Sequence, residues 1–468
     1  MKKTLLSLML GLGMATPVLA DSLLDVYQQA MANDPVVNRA KAQRDAAYQA
    51  IPISRAALLP QISGSLGYST STSESTQNIQ REDENGNPTF EIVDVEVDRD
   101  STSWGIDLNM SLYDHSRWLG LDQAELSAEQ SDATYAAAVQ QLIVRTVTAY
   151  LDVLRAQDNL DFVQAEKRAI ERQLEQTKQR FEVGLTAITD VHEAQANYDN
   201  TVAQEIVAEN RIELAREALR VITGKYHDRL DVLDTSRFAA SSPSPQSVTE
   251  WLDIAEDANL TLLAQRLAMD VAKMNIDIAT AGHYPTLGLS ASYGSSKSTT
   301  ESPALVSESN PSGEVKTPYQ NSQSIGITLS VPIYQGGQVV AQTDQARARY
   351  VSAGQDLELA HRQAIQSVRS SYNDVKASIS TIRALEQAVL SAESALKATE
   401  AGFDVGTRTI VDVLNSTRNL FDARANLSGA RYDFIQAMVT LKQAAGNLTV
   451  SDLELVSQGM REAKVDAE

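Results

Sequence analysis

The stretch Phe181-Glu-Val-Gly-Leu-Thr-Ala-Ile-Thr-Asp-Val191 returns 222 residues later as Phe403-Asp-Val-Gly-Thr-Arg-Thr-Ile-Val-Asp-Val413. A polar, proline-free helical pattern precedes each copy. At Gly184 and Gly406 a residue that tolerates positive φ closes that helix, and a second helical pattern follows. Each copy therefore reads as the tip of a helical hairpin. Repetition at this distance divides the chain into two tandem halves, residues 21–246 and 247–446, with a tail at 447–468.

Working outward from the first tip, residues 116–180 contain no proline and would span roughly 100 Å as one helix. Ile143, Val147, Tyr150 and Leu154, then Val163, Ile170, Leu174 and Phe181, follow the three-and-four steps of a coiled-coil seam. A return helix is predicted over 190–223, ending at Gly224, and irregular structure over 226–246, where Pro243 and Pro245 lie. The second half repeats the order, with a long helix over 339–401, a hinge at 403–412 and a return helix over 409–445. Helices at 23–32, 36–59 and 248–280 precede the remaining pattern, which is that of strands.

Those strands have period two. Ile62, Leu66 and Tyr68 alternate with Ser63, Ser65 and Ser69 in residues 61–69, and Trp104, Ile106, Leu108 and Met110 alternate with polar residues in 103–112. Residues 286–294 and 324–333 behave alike. Segments 70–102 and 297–320 are Ser/Thr-rich and read as exposed loops, the first with strand extensions near 90–97. Ten-residue strands with one apolar and one small polar face match membrane-barrel strands. Four cannot close a barrel and open edges are not tolerated in lipid, so several chains must share one, and the small inward residues favour three. The alternative is a soluble sheet packed on a helical stalk.

Residues 1–20 carry Lys2 and Lys3, an apolar run and the small-residue end Val18-Leu-Ala20, the pattern of a secretory signal peptide. No other segment is apolar enough for a membrane-spanning helix. The chain has no cysteine, which excludes disulfides and thiolate metal sites. Removing the signal takes away two lysines and no acid, moving the net charge from −21 to −23. That argues against a nucleic-acid partner and fits either solvated helix surfaces or an acidic lumen. The five histidines show no metal spacing, and neither a phosphate loop nor a nucleophile elbow occurs, so neither an enzyme nor a cofactor is expected.

At the hinges, at the Leu58-Leu-Pro60 junction and at Val331-Pro-Ile-Tyr-Gln-Gly-Gly337, the sequence closely resembles the TolC-type outer-membrane efflux protein family, over essentially the whole mature chain. The resemblance implies a homotrimer with a twelve-strand outer-membrane β-barrel continuous with a long periplasmic α-helical barrel, and a mixed α and β fold. It implies export of drugs, toxins or proteins with a periplasmic adaptor and an inner-membrane RND, ABC or MFS transporter. A surface or stalk protein that does not conduct is the competing function.

The same resemblance gives the hinges their roles. Asp412 and Asn415 share a helix face, and three copies would ring a pore; relatives typically carry aspartate at both positions, so a weaker cation block is expected here. Ringed carboxylates repel one another and have raised pKa values, which would let the ring sense divalent cations. Thr409-Ile-Val-Asp412 equally matches a capping box, in which Asp412 only satisfies a helix start. Arg408 faces acceptors Thr189 and Asp190 as a latch between hairpins, while Phe403 replaces a family tyrosine and removes its hydroxyl link. The low surface at Gly184, Leu185, Gly406 and Thr407 is implied to dock the adaptor.

Overall fold

The computed structural model describes residues 20–82, 87–306 and 309–462. The signal peptide expected over 1–20 falls, apart from Ala20, outside the described residues. The elements in chain order are α1 (Leu23–Asn33), α2 (Pro35–Ala56), β1 (Gln61–Glu82), β2 (Pro88–Tyr113), α3 (His115–Glu182), α4 (Ile188–Thr223) and β3 (Val232–Leu233). They continue with α5 (Val248–Ala258), α6 (Leu260–Thr280), β4 (Thr286–Glu301), β5 (Glu314–Ser330), α7 (Gln338–Asp404), α8 (Ile410–Ala444), α9 (Val450–Gln458) and β6 (Met460–Arg461). Among the described residues no helix is long and apolar enough to cross a membrane.

The chain forms two compact units. The first comprises Met1–Arg44, Gln130–Arg266 and Gln355–Glu468. Its main core gathers Leu23, Val26, Tyr150, Trp251, Tyr432 and Leu441. Of the expected seam residues, Ile143, Val147, Tyr150, Leu154, Ile170 and Leu174 are buried, Val163 is half-buried and Phe181 is exposed. Two of the largest buried polar side chains of this core find partners: the Tyr150 hydroxyl donates to the carbonyls of Asp21 (3.2 Å) and Asp231 (2.9 Å), and Trp251 Nε1 donates to the Pro245 carbonyl at 2.8 Å. Within the tail, α9 forms and β6 pairs with β3.

A helix break occurs in this unit at Asp34 and another at Asn259. The Asp34 carboxylate accepts from the Val37 N–H at 2.8 Å, and the Asn259 side chain accepts from the Leu262 N–H at 2.9 Å. Both therefore cap the helix that follows. Asp34 is buried and held by two Arg145 bonds of 2.9 Å. Burial alone would push its carboxyl up, but the Arg145 guanidinium and the Val37 N–H bring it below the usual range. The single helix expected over 248–280 is thus two helices, α5 and α6.

The second unit comprises Asp45–Glu129 and Leu267–Gly354 and holds a four-stranded antiparallel sheet in the order β1-β2-β4-β5. Register aligns Ile62, Leu108, Ala291 and Ile325 across it on one face and Ser63, Asp107, Ser292 and Ser324 on the other. Ile62, Leu66, Ile325, Ile327 and Leu329 are exposed. Two expectations are corrected here. Residues 70–102 and 297–320 are largely strand: β1 pairs with β2 along its whole length, from Gln61↔Asn109 to Glu82↔Pro88. Conversely, β5 ends at Ser330, three residues before the expected limit of 333.

Candidate functional site: the two helical hinges

Both hinges close with the same backbone bonds. In the first, Leu185 N–H donates to the Arg180 carbonyl (2.8 Å) and Gly184 N–H to that of Phe181 (2.9 Å). In the second, Thr407 N–H donates to the Gly402 carbonyl (2.8 Å) and Gly406 N–H to that of Phe403 (3.1 Å). This is the Schellman pattern, which needs a left-handed residue at its end. Gly184 (φ 75°) and Gly406 (φ 79°) supply it. A Cβ at either would meet nothing within 4 Å, so backbone conformation rather than space requires glycine.

The helices that follow start differently. Thr409 caps α8 through a full capping box: the Asp412 carboxylate accepts from the Thr409 N–H (2.9 Å) and hydroxyl (3.0 Å), while the Asp412 N–H donates to the Thr409 hydroxyl (3.3 Å). The Thr409 N–H, then its hydroxyl, and finally the Arg408 charge hold the Asp412 carboxyl below the usual carboxylate range. Within one chain the direction is opposite to that expected of a carboxylate ring. Asn415, one turn on, is exposed. Ala187 caps α4 with no side-chain bond, and the Thr186 hydroxyl donates to Asp190.

Phe403 is buried with Ile170, Leu174, Ala194, Ile410 and Val413. Arg408 is exposed, and among the described residues the single chain does not bring it to Thr189 or Asp190 as an ion pair or hydrogen bond. Leu185 and Thr407 are exposed beside their glycines. One residue escaped the sequence reading. Arg180 donates to Asp404 Oδ1 at 2.9 Å and places its guanidinium 4.4 Å from the centre of the Phe403 ring. Its position just before Phe181 was visible; that it faces Asp404, 224 residues away, was not.

Further from the tips, polar bonds tie α8 to its neighbours. Arg418 donates to Asn197 on α4 at 2.9 Å, and Ser428 and Tyr432 both donate to Asp158 on α3, the latter at 2.8 Å. Burial, then the Asp158 charge, pushes the Tyr432 hydroxyl up, so it remains a donor. Glu166 is buried on α3, and burial followed by the nearby Asp422 raises its carboxyl. Among the described residues no group of three or more His, Asp or Glu side chains gathers in a way that could hold a metal ion. What the site offers is paired hinges on long helices, with polar bonds between hairpins.

The family model described as "Outer membrane efflux protein" matches residues 26–225 and 251–447, which takes in both hinges and nearly every helix and strand around them. The chain belongs to the outer membrane efflux protein family. It is 48% identical over 451 residues to the outer membrane protein TolC of Vibrio cholerae serotype O1, covering 96% of both chains. It is 33% identical to the alkaline protease secretion protein AprF of Pseudomonas aeruginosa, covering 93% of this chain and 86% of AprF. The solved Campylobacter jejuni CmeC outer membrane channel shares the fold, with a TM-score of 0.71 at 16% identity over 94% of this chain and 90% of that one. As an outer membrane efflux protein the chain is an outer-membrane exit channel.

Proposed function

We propose that three copies of the chain assemble into one channel, each contributing its four strands to a twelve-strand barrel in the outer membrane and its two hairpins to a helical tunnel. The two halves are read as tandem repeats, supported by the shared hinge bonds and by the paired helix breaks at Asp34 and Asn259. One observation carries the assembly: among the described residues the sheet β1-β2-β4-β5 ends in two unpaired edges and carries a broad exposed apolar face. In hydrocarbon each unpaired backbone group costs several kcal/mol, so edges must be closed by other copies.

Substrates would be drugs, toxins or proteins delivered by an inner-membrane RND, ABC or MFS transporter through a periplasmic adaptor. The likeness to AprF, a protease secretion protein, supports protein export. The tip glycines with Leu185 and Thr407 form the adaptor's contact surface, supported by their exposure. Asp412 forms a charged ring and Asn415 a neutral one at the closed end, and Arg408 reaches Thr189 or Asp190 of a neighbouring hairpin. Native mass spectrometry in detergent, followed by planar-bilayer recording, tests the assembly. A three-chain particle that conducts is expected, and its cysteine variants at 185 and 407 should crosslink to an adaptor. A chain that stays monomeric and soluble without detergent would overturn it.

A further inference from the structure

Among the described residues a single side-chain bond joins residues 180–187 to residues 402–409, that of Arg180 to Asp404. Both ends are firmly placed. The Arg180 carbonyl accepts the closing bond of the first hinge, and Asp404 is the last residue of α7. The guanidinium lies over the Phe403 ring, which is itself fixed in the core between α3, α4 and α8. A planar cation held by an aromatic face on one side and a carboxylate on another loses little further freedom when the pair forms. Arg180 is about three-quarters buried while Asp404 is mostly exposed, so the pair is only partly screened by solvent.

The geometry points to Arg180 as the residue that couples the two hinges of one chain: the tip of the α7–α8 hairpin cannot swing from the α3–α4 hairpin without breaking the Asp404 bond and lifting the guanidinium from Phe403. This rests on the reading of the hinges as the channel's gate and adds to it a link inside each protomer. Arg408 then acts between hairpins of neighbouring copies, and Arg180 keeps each copy's own two tips together. Arg180 is a positioning residue here, since it acts on the tips rather than on what passes.

Bilayer recordings of the assembled channel test it. Asp404→Ala and Arg180→Ala are each expected to raise open occupancy roughly three- to ten-fold, the scale of a partly exposed ion pair plus a cation–π contact. Arg180→Lys, which keeps the charge but not the planar stacking, falls between these and the wild type. In 1 M salt the gap between wild type and Asp404→Ala narrows. A purely structural role would predict a lower yield of trimer, read by native mass, with no salt-dependent change in opening; that result overturns the proposal. Arg408→Ala separates the two levels. If it opens the channel while the Arg180 and Asp404 variants do not, the coupling is wrong and the gate stands; if none of the three changes opening, the gate reading fails as well.

Discussion

In the first hinge Phe181 and Ile188 stand 41% and 46% exposed, whereas their counterparts in the second, Phe403 and Ile410, are 8% and 2% exposed. The backbone does not explain this, because both turns make the same bonds around a left-handed glycine. Cover does. Ile170 and Leu174 on α3 and Ala194 on α4 present an apolar surface on which the second hinge packs, and among the described residues the single chain offers the first hinge no equivalent. The seam that buries Ile170 and Leu174 was expected to continue to Phe181 and stops one step short of it. A motif thus sets its own turn locally, while burial is decided by what lies across from it.

The largest effect that follows is on stability. Phe403→Ala should cost about 3–5 kcal/mol, as for a buried phenylalanine, and Phe181→Ala about 1 kcal/mol or less in the separated chain. Denaturant unfolding of each variant gives both values. Equal losses in the assembled channel but unequal ones in the dissociated chain would show that a neighbouring copy covers Phe181 just as the chain covers Phe403.

A smaller and symmetric effect is expected at the glycines. Gly184→Ala and Gly406→Ala each force a Cβ into the left-handed region, at about 1–2 kcal/mol, with no clash to add. Matching shifts in the two unfolding midpoints would confirm that the turns are equivalent. A much larger loss at one would mean that something packs against that tip in the assembly, and the equivalence would end at the backbone.

The same division between local and distant causes explains what the sequence disclosed. The long helices, both hinge glycines and the four strand starts follow from spacing, capping and turn residues within a dozen positions of one another. Within segment 70–102, residues 70–82 were hidden because neither of their faces is apolar, whereas Val93, Val95 and Val97 on the paired strand share a face of the period-two pattern and marked the extension near 90–97. The segment's strands are held by the backbone ladder and by cross-strand bonds such as those from Thr72 to Asp98 (2.5 Å) and Thr76 to Asp94 (2.7 Å). The break at Asn259 lacks the proline that marks Asp34-Pro35, and it depends on a bond from Asn259 to the Ala444 carbonyl at 2.9 Å, 185 residues away. At the candidate site the Thr409–Asp412 box was legible, but the Arg180–Asp404 pair was not.

The smallest effect lies at the start of α8 and decides between the two roles open to Asp412. Its folded pKa is depressed by the capping bonds, so the box contributes stability fully above the ordinary aspartate value of about 4 and loses it as the pH falls through the folded value. Amide exchange in the first turn of α8, corrected for intrinsic rates, should therefore stay level from pH 7 to 5 and rise only below about pH 4. The start of α4, where no carboxylate bonds to the backbone of the Ala187 cap, provides the baseline. Three Asp412 side chains ringed around an axis would push the other way, since each ionised carboxylate disfavours the next. In the assembled channel the two effects compete for one group. Protection lost at the same low pH in chain and trimer means the box prevails and the carboxylates stand too far apart to sense one another. Loss at clearly higher pH in the trimer alone means repulsion prevails, which requires the closed pore to be narrow at Asp412.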